Sequence, residues 1–263
     1  MNSIFLRFVR QSVISYKALY GIMDIKTFIL IKLINPLFQI TFFVLLTRYI
    51  YNTDDLSPWV ISNAILLSCS NALFGVGFIM IQERRFGTLK LVLITPANKF
   101  FVYIGRTFIH VVDAILTVGF GLLFGYVAFG VQFNNTNPLA LIVALLITVF
   151  ASVGFGLMLG SVGTIIPDLN LVMNFCYFLL LILSGAQFPI SQLPDILQKV
   201  SYVIPLTRGI EAVRLIVQGA RIIDVSSLLI GELFLGIIFF IAGYFFMRLF
   251  EKISIVRASL DIY

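Results

Sequence analysis

The sequence predicts an all-α fold: a polytopic membrane protein with six transmembrane helices, an N-terminal interfacial helix and two short outer re-entrant helices before the last span. Three observations carry that prediction. The 263 residues are 60% hydrophobic and only 11% charged, where a soluble domain is about a quarter charged. A mean hydropathy of +1.06 leaves too few polar residues to cover a water-facing globule, so lipid must solvate most of the surface. The apolar residues also fall into six runs near the length of about 20 residues that a helix needs to cross a bilayer core. Helix is the default there because every backbone group must be satisfied internally in lipid, and the runs lack the alternation of barrel strands.

The net charge of +6 sits at the ends of the apolar runs. That placement reads as contact with anionic lipid head groups, with no nucleic-acid partner implied. The two cysteines, Cys69 and Cys176, have neither metal-ligand nor disulfide-framework spacing and read as small packing residues. No cleavable signal is expected, since the first 26 residues are too polar for one and the first apolar run is long enough to span.

Residues 1–26 form the first element. Phe5, Phe8, Val9, Val13, Tyr16 and Tyr20 recur at three- and four-residue spacing, with Arg7, Arg10 and Lys17 off that stripe. The pattern describes a helix lying in the membrane interface; a plain positive anchor is the simpler alternative. The rest, 27–263, reads as one transmembrane domain with spans near 28–50, 59–81, 102–130, 139–163, 169–188 and 226–250. Lys and Arg set their direction. They occur in the N-terminal segment, between spans two and three, and in the tail, but not in "YNTDDLSP" or "VQFNNTNP". Both termini and the second connection are therefore expected to be cytoplasmic, although Lys199, Arg208, Arg214 and Arg221 sit on the side expected to be outside.

The connection after span two, "ERRFGTLKLVLITP", is the most charged stretch. Gly87 permits a bend and Pro96 ends any short helix before it. Residues 83–96 thus form an elbow with a charged face, Glu83, Arg84 and Arg85, followed by Thr88 and an apolar face that includes Leu89. It suits either a docking surface or a membrane anchor. The segment 189–218 is broken by Pro189, Pro194 and Pro205 into pieces too short to cross. Short helices are expected at 195–203 and 206–218. In the second, Glu211 lies three residues from both Arg208 and Arg214, close enough to pair on one face. These are read as outer re-entrant helices, against an ordinary surface loop with an interfacial helix.

Together, "ERRFGTLKLVLITP" and "FPISQLPDILQKVSYVIPLTRGIEAVR", at their distances within a six-span chain, resemble the membrane (permease) subunits of the ABC type-2 exporter family over nearly the whole length. The resemblance implies that 83–96 is the coupling helix that enters a groove of an ATPase subunit. It implies two such ATPase subunits per complex, which would hold the ATP and Mg, and a second permease copy, identical or related. The chain itself has no Walker-type "GxxxxGK[ST]" and so no loop to cradle a nucleotide; it is read as no enzyme by itself, with no cofactor of its own. The family pattern further implies ATP-driven export of an amphipathic substrate (drug, peptide, lipid or lipid-linked glycan) across a plasma membrane, of the bacterial inner-membrane kind. The elbow wording is nearer to multidrug than to polysaccharide export members.

Polar groups inside the spans are the remaining candidates. Arg106, His110, Asp113 and Thr117 share one face of span three, and an intramembrane carboxylate is a functional candidate by default. A proton-coupled carrier using His110 and Asp113 is the alternative function; self-neutralisation of the stripe is the simpler account. Asn170 and Asn174 share a face of span five and would line a path or bond between helices. A lipid-modifying enzyme is disfavoured by the absence of paired catalytic carboxylates.

Overall fold

The computed structural model describes residues 10, 12–14, 17, 21, 24–87, 99–162, 166 and 168–256. Most of the interfacial helix expected at 1–26 lies outside these residues, as do Thr88, Leu89 and Pro96. The fold is all-helical among them. Five helices are long and apolar enough to cross a membrane. They are α1 (Ile25–Tyr51), α2 (Ser57–Arg85), α3 (Lys99–Phe129), α4 (Pro138–Val162) and α8 (Ser226–Val256). A shorter apolar helix, α5 (Leu169–Leu183), lies where a fifth span was expected to run to 188. Between α5 and α8 come a 3-10 turn at Ile190–Gln192 and two short helices, α6 (Asp195–Ser201) and α7 (Thr207–Val217).

Local chemistry sets the helix starts. Asn137 accepts from the N–H groups of Leu139 and Ala140 at 3.0 and 3.3 Å, and Pro138 occupies the first position, where its missing N–H costs nothing. Asp168 caps α5 through the Leu171 N–H. α1 ends at Asn52, whose left-handed φ of 47° is tolerated best by Gly and Asn. Within α1, Leu30–Ile34 widens into a turn of π-helix. Pro36 explains it: its ring would clash with the Lys32 carbonyl in a regular helix, and the wider turn instead sends the Asn35 N–H to the Leu30 carbonyl.

The bundle is built around α2, which packs on α1, α3, α4, α5 and α7. It is the least apolar of the five long helices and the most buried. Two causes combine. Its small residues admit close neighbours, since a Cβ on Gly75 would lie 2.4 Å from His110 Nδ1. Its polar side chains bond between helices, which replaces the hydration that lipid cannot supply. Ser68 donates to the Ala114 carbonyl at 2.7 Å, Asn71 to Thr117 Oγ1 at 2.8 Å, and Gln187 to Asn63 Oδ1 at 2.7 Å. The more apolar α1 and α8 present Phe38, Phe42, Ile230 and Phe234 outward. α8 lies along α4, where Gly154 and Gly236 let Phe150 and Phe240 stack at 4.7 Å between ring centres. Cys69 is buried and Cys176 half-buried, both as free thiols.

Candidate functional site

Polar side chains gather at three levels of the bundle. The first is the α2–α3 elbow. Glu83 is 6% exposed and turned inward, where it accepts from the Tyr103 hydroxyl at 2.5 Å and forms an ion pair with Arg106. It is therefore not on an outer charged face beside Arg84 and Arg85; it ties the end of α2 to the start of α3. Of Arg84 and Arg85 the structure describes the backbone alone, inside α2. Gly87 follows with φ +67°, the left-handed bend that glycine makes without steric cost. Phe86 beside it is exposed, an apolar group at the elbow that the charge pattern had overshadowed.

The second level lies within the spans. The stripe Arg106, His110, Asp113 and Thr117 is shared out among neighbours. Arg106 goes to Glu83, the buried His110 ring sits against Gly75, and Thr117 meets Asn71. Asp113 pairs with Lys32 of α1 at 2.5 Å, their side chains 12% and 9% exposed. Lys32 was missed from sequence because it sits inside an apolar run, near its start. A carboxylate and an ammonium this buried are viable because they neutralise each other. Asn170 and Asn174 are both exposed on α5, with Asn174 Nδ2 donating to the Asn170 carbonyl at 2.8 Å; they make no bond to another helix among the described residues.

The third level is the opposite end. Pro189 immediately precedes the 3-10 turn and Pro194 immediately precedes α6. Pro205 is buried just before Leu206, which takes φ +95°. Arg214 reaches back into the bundle: Nε donates to the Pro58 carbonyl at 3.1 Å and Ser62 Oγ at 2.6 Å, Nη2 to the Gly185 carbonyl at 3.0 Å, and the guanidinium lies 5.3 Å from the Trp59 ring centre. Burial pushes it down to about 10, so it stays cationic at neutral pH. Arg208 donates to the Tyr202 carbonyl and lies over the Tyr202 ring. Neither arginine pairs with Glu211, contrary to the helical-spacing expectation. In the following loop, the Arg221 N–H and side chain bond Asp224 and hold its carboxyl below the usual range. Sequence reasoning also missed Glu232, which is 0% exposed on α8; a carboxylate inside the last apolar run was the available signal.

Comparison with known proteins places this architecture. The family model described as ABC-2 type transporter matches residues 12–217. The inner membrane transport permease YhhJ of Escherichia coli (strain K12) is 24% identical over 168 residues, 61% of this chain and 44% of that protein. The protein of the same name in Shigella flexneri gives the same figures. Nodulation protein J of Sinorhizobium fredii is 60% identical over 35 residues, 13% of each chain. The matched stretch thus spans less than half the length of the two permeases it resembles. With most of its length inside the family match and five helices fit to cross a bilayer, this chain belongs to the ABC-2 type transporter family, as a membrane permease subunit.

Proposed function

We propose that this chain is the membrane half of an ATP-driven exporter that moves an amphipathic substrate out of the cytoplasm. The family match over residues 12–217 is the observation that carries the reading. In it, two ATPase subunits hold ATP and Mg, and a second permease copy, identical or related, completes the translocation path. The chain supplies no catalytic group or cofactor of its own. Six crossings follow if α5 spans with the irregular backbone after it. The termini and the elbow at 83–96 then face the cytoplasm, and the 189–218 region dips back from the outside. The relatives named as inner membrane permeases favour the bacterial inner membrane.

Coupling is assigned to the elbow. ATP-driven closure of the ATPase subunits would displace residues 83–96. The Glu83–Tyr103–Arg106 brace supports this role, because it makes the end of α2 and the start of α3 move as one body. Spans one, two and five would then shift against the second copy. A proton-coupled carrier through His110 and Asp113 has less support, since Lys32 already neutralises Asp113.

The test is co-purification with a candidate ABC ATPase subunit, followed by ATP-dependent transport in vesicles. Reversing Arg84 and Arg85 to glutamate is expected to abolish transport or assembly. Full transport by the lone chain without nucleotide would sink the reading.

A further inference from the structure

At the end of the bundle that carries α6 and α7, several segments meet around Trp59 and Arg214. Trp59, near the start of α2, stacks on Tyr51 of α1 with 5.3 Å between ring centres and 10° between planes. The Tyr51 hydroxyl donates to Gln192 Oε1 of the 3-10 turn at 2.9 Å. The Arg214 guanidinium of α7 lies against the same indole. Its bonds run to the Pro58 carbonyl and Ser62 Oγ of α2, and to the Gly185 carbonyl beyond α5. One side chain thus fastens α7 to α2 and to the backbone after α5.

Every acceptor in that fastening is neutral. A guanidinium makes its strongest hydrogen bonds to carboxylates, and one stands close by. Glu211 precedes Arg214 by three residues on α7, a spacing that makes two residues neighbours on a helix surface. Both line one open-sided cavity of about 270 Å³, which gives a long side chain room to turn. The two are nevertheless apart: Glu211 makes no ion pair among the described residues. The Tyr202 hydroxyl reaches it only at 3.4 Å. Arg214 therefore has two sets of acceptors within reach and occupies the one that binds α7 to its neighbours.

We infer that Arg214 is a two-position clasp. Closed, as in the structure, it grips Pro58, Ser62 and Gly185. Released, it pairs with Glu211 on its own helix, and α7 can part from the start of α2. Neither position strands the cation, so the exchange avoids the penalty of an unpaired buried charge. That makes the junction a bistable element of the kind that amplifies small displacements. α2 supplies the connection to the rest of the molecule. It is the most buried of the long helices, and its other end carries Glu83, braced to Tyr103 and Arg106. Pro58 and Glu83 belong to one helix and stand roughly 38 Å apart at 1.5 Å per residue. That a displacement at the elbow works the clasp along α2 rests on the function proposed above; the clasp itself does not.

Trp59 is the chain's single tryptophan, so fluorotryptophan places one fluorine NMR reporter beside Arg214. The labelled full chain is studied alone in lipid nanodiscs. Ser62→Ala removes an acceptor of the closed position and is expected to raise a second resonance environment about tenfold over the parent. Adding Glu211→Gln to Ser62→Ala should return the spectrum to the parent's, because the released position loses its counter-charge. Adding Glu211→Asp instead should leave the second environment in place. A Ser62→Ala spectrum identical to the parent's overturns the clasp, as does one that Glu211→Gln leaves unchanged. A second measurement needs no Ser62 variant: the labelled parent is assembled with unlabelled ATPase subunits, and a non-hydrolysable ATP analogue with Mg should raise the same environment, but not in Glu211→Gln. If nucleotide moves nothing while the lone-chain result holds, the link along α2 is overturned and the clasp stands, so the two readings fail separately.

Discussion

The Glu232 carboxylate of α8 accepts a hydrogen bond from the Leu206 backbone N–H at 2.8 Å through Oε1. α7 has no side-chain cap of its own, so a residue from the last membrane helix satisfies the N–H of its N-cap residue, Leu206. The same contact holds Leu206 at φ +95°, a conformation an L-residue rarely adopts. Glu232→Ala should cost about 2 kcal/mol and Glu232→Gln about half as much, because glutamine keeps an acceptor. Thermal unfolding of the detergent-purified chain measures both. Equal stability of Glu232→Ala and the parent would show that α7 starts without help.

The Lys32–Asp113 pair should behave as a buried unit. Lys32→Met or Asp113→Leu alone strands a charge in the membrane interior, at a cost of about 3–5 kcal/mol. The double replacement should be milder than either single, giving a clear interaction energy in a double-mutant cycle. Additive losses would mean the two charges do not sense each other.

Packing at glycines separates tight from open positions. A Cβ at Gly209 would lie 2.2 Å from Thr148 Oγ1 and 2.9 Å from its Cβ, whereas one at Gly119 meets nothing within 4 Å. Gly209→Ala is therefore expected to lose about 1–3 kcal/mol through overpacking. Gly119→Ala should be neutral or stabilising by up to about 1 kcal/mol. Melting temperatures of the two variants, taken side by side, decide the point.

The elbow brace predicts a split between assembly and work. Glu83→Ala releases Tyr103 and Arg106 without altering Arg84 or Arg85. On the proposed mechanism, the variant still co-purifies with its ATPase, while substrate moved per ATP hydrolysed falls several-fold. Unchanged stoichiometry of transport would mean that force does not pass through this junction.

Much of the architecture was legible because lipid enforces it: uninterrupted apolar runs have few options other than helix. The positions of the elbow and of the two short helices before α8 were legible from Gly87 and from Pro189, Pro194 and Pro205, which constrain the backbone wherever they occur. Partner choice was not legible. Helical spacing offered Glu211 to Arg208 and Arg214, but Arg214 found acceptors across the bundle and Arg208 turned to the nearby Tyr202 carbonyl. Lys32 and Asp113 are 81 positions apart, and nothing local in either links them. Glu83 looked like one member of a surface charge cluster, since its burial depends on where α3 returns. The widening at Leu30–Ile34 did leave a trace, in Pro36.

α5 carries a consequence of its own. Its 15 residues reach about 22 Å at 1.5 Å each, against about 30 Å of hydrocarbon. Residues 184–187 continue beyond it as irregular but buried backbone, which is permitted at membrane depth when protein shields it. On the six-crossing reading, helix therefore covers roughly three quarters of the crossing on this flank and shielded irregular backbone completes it.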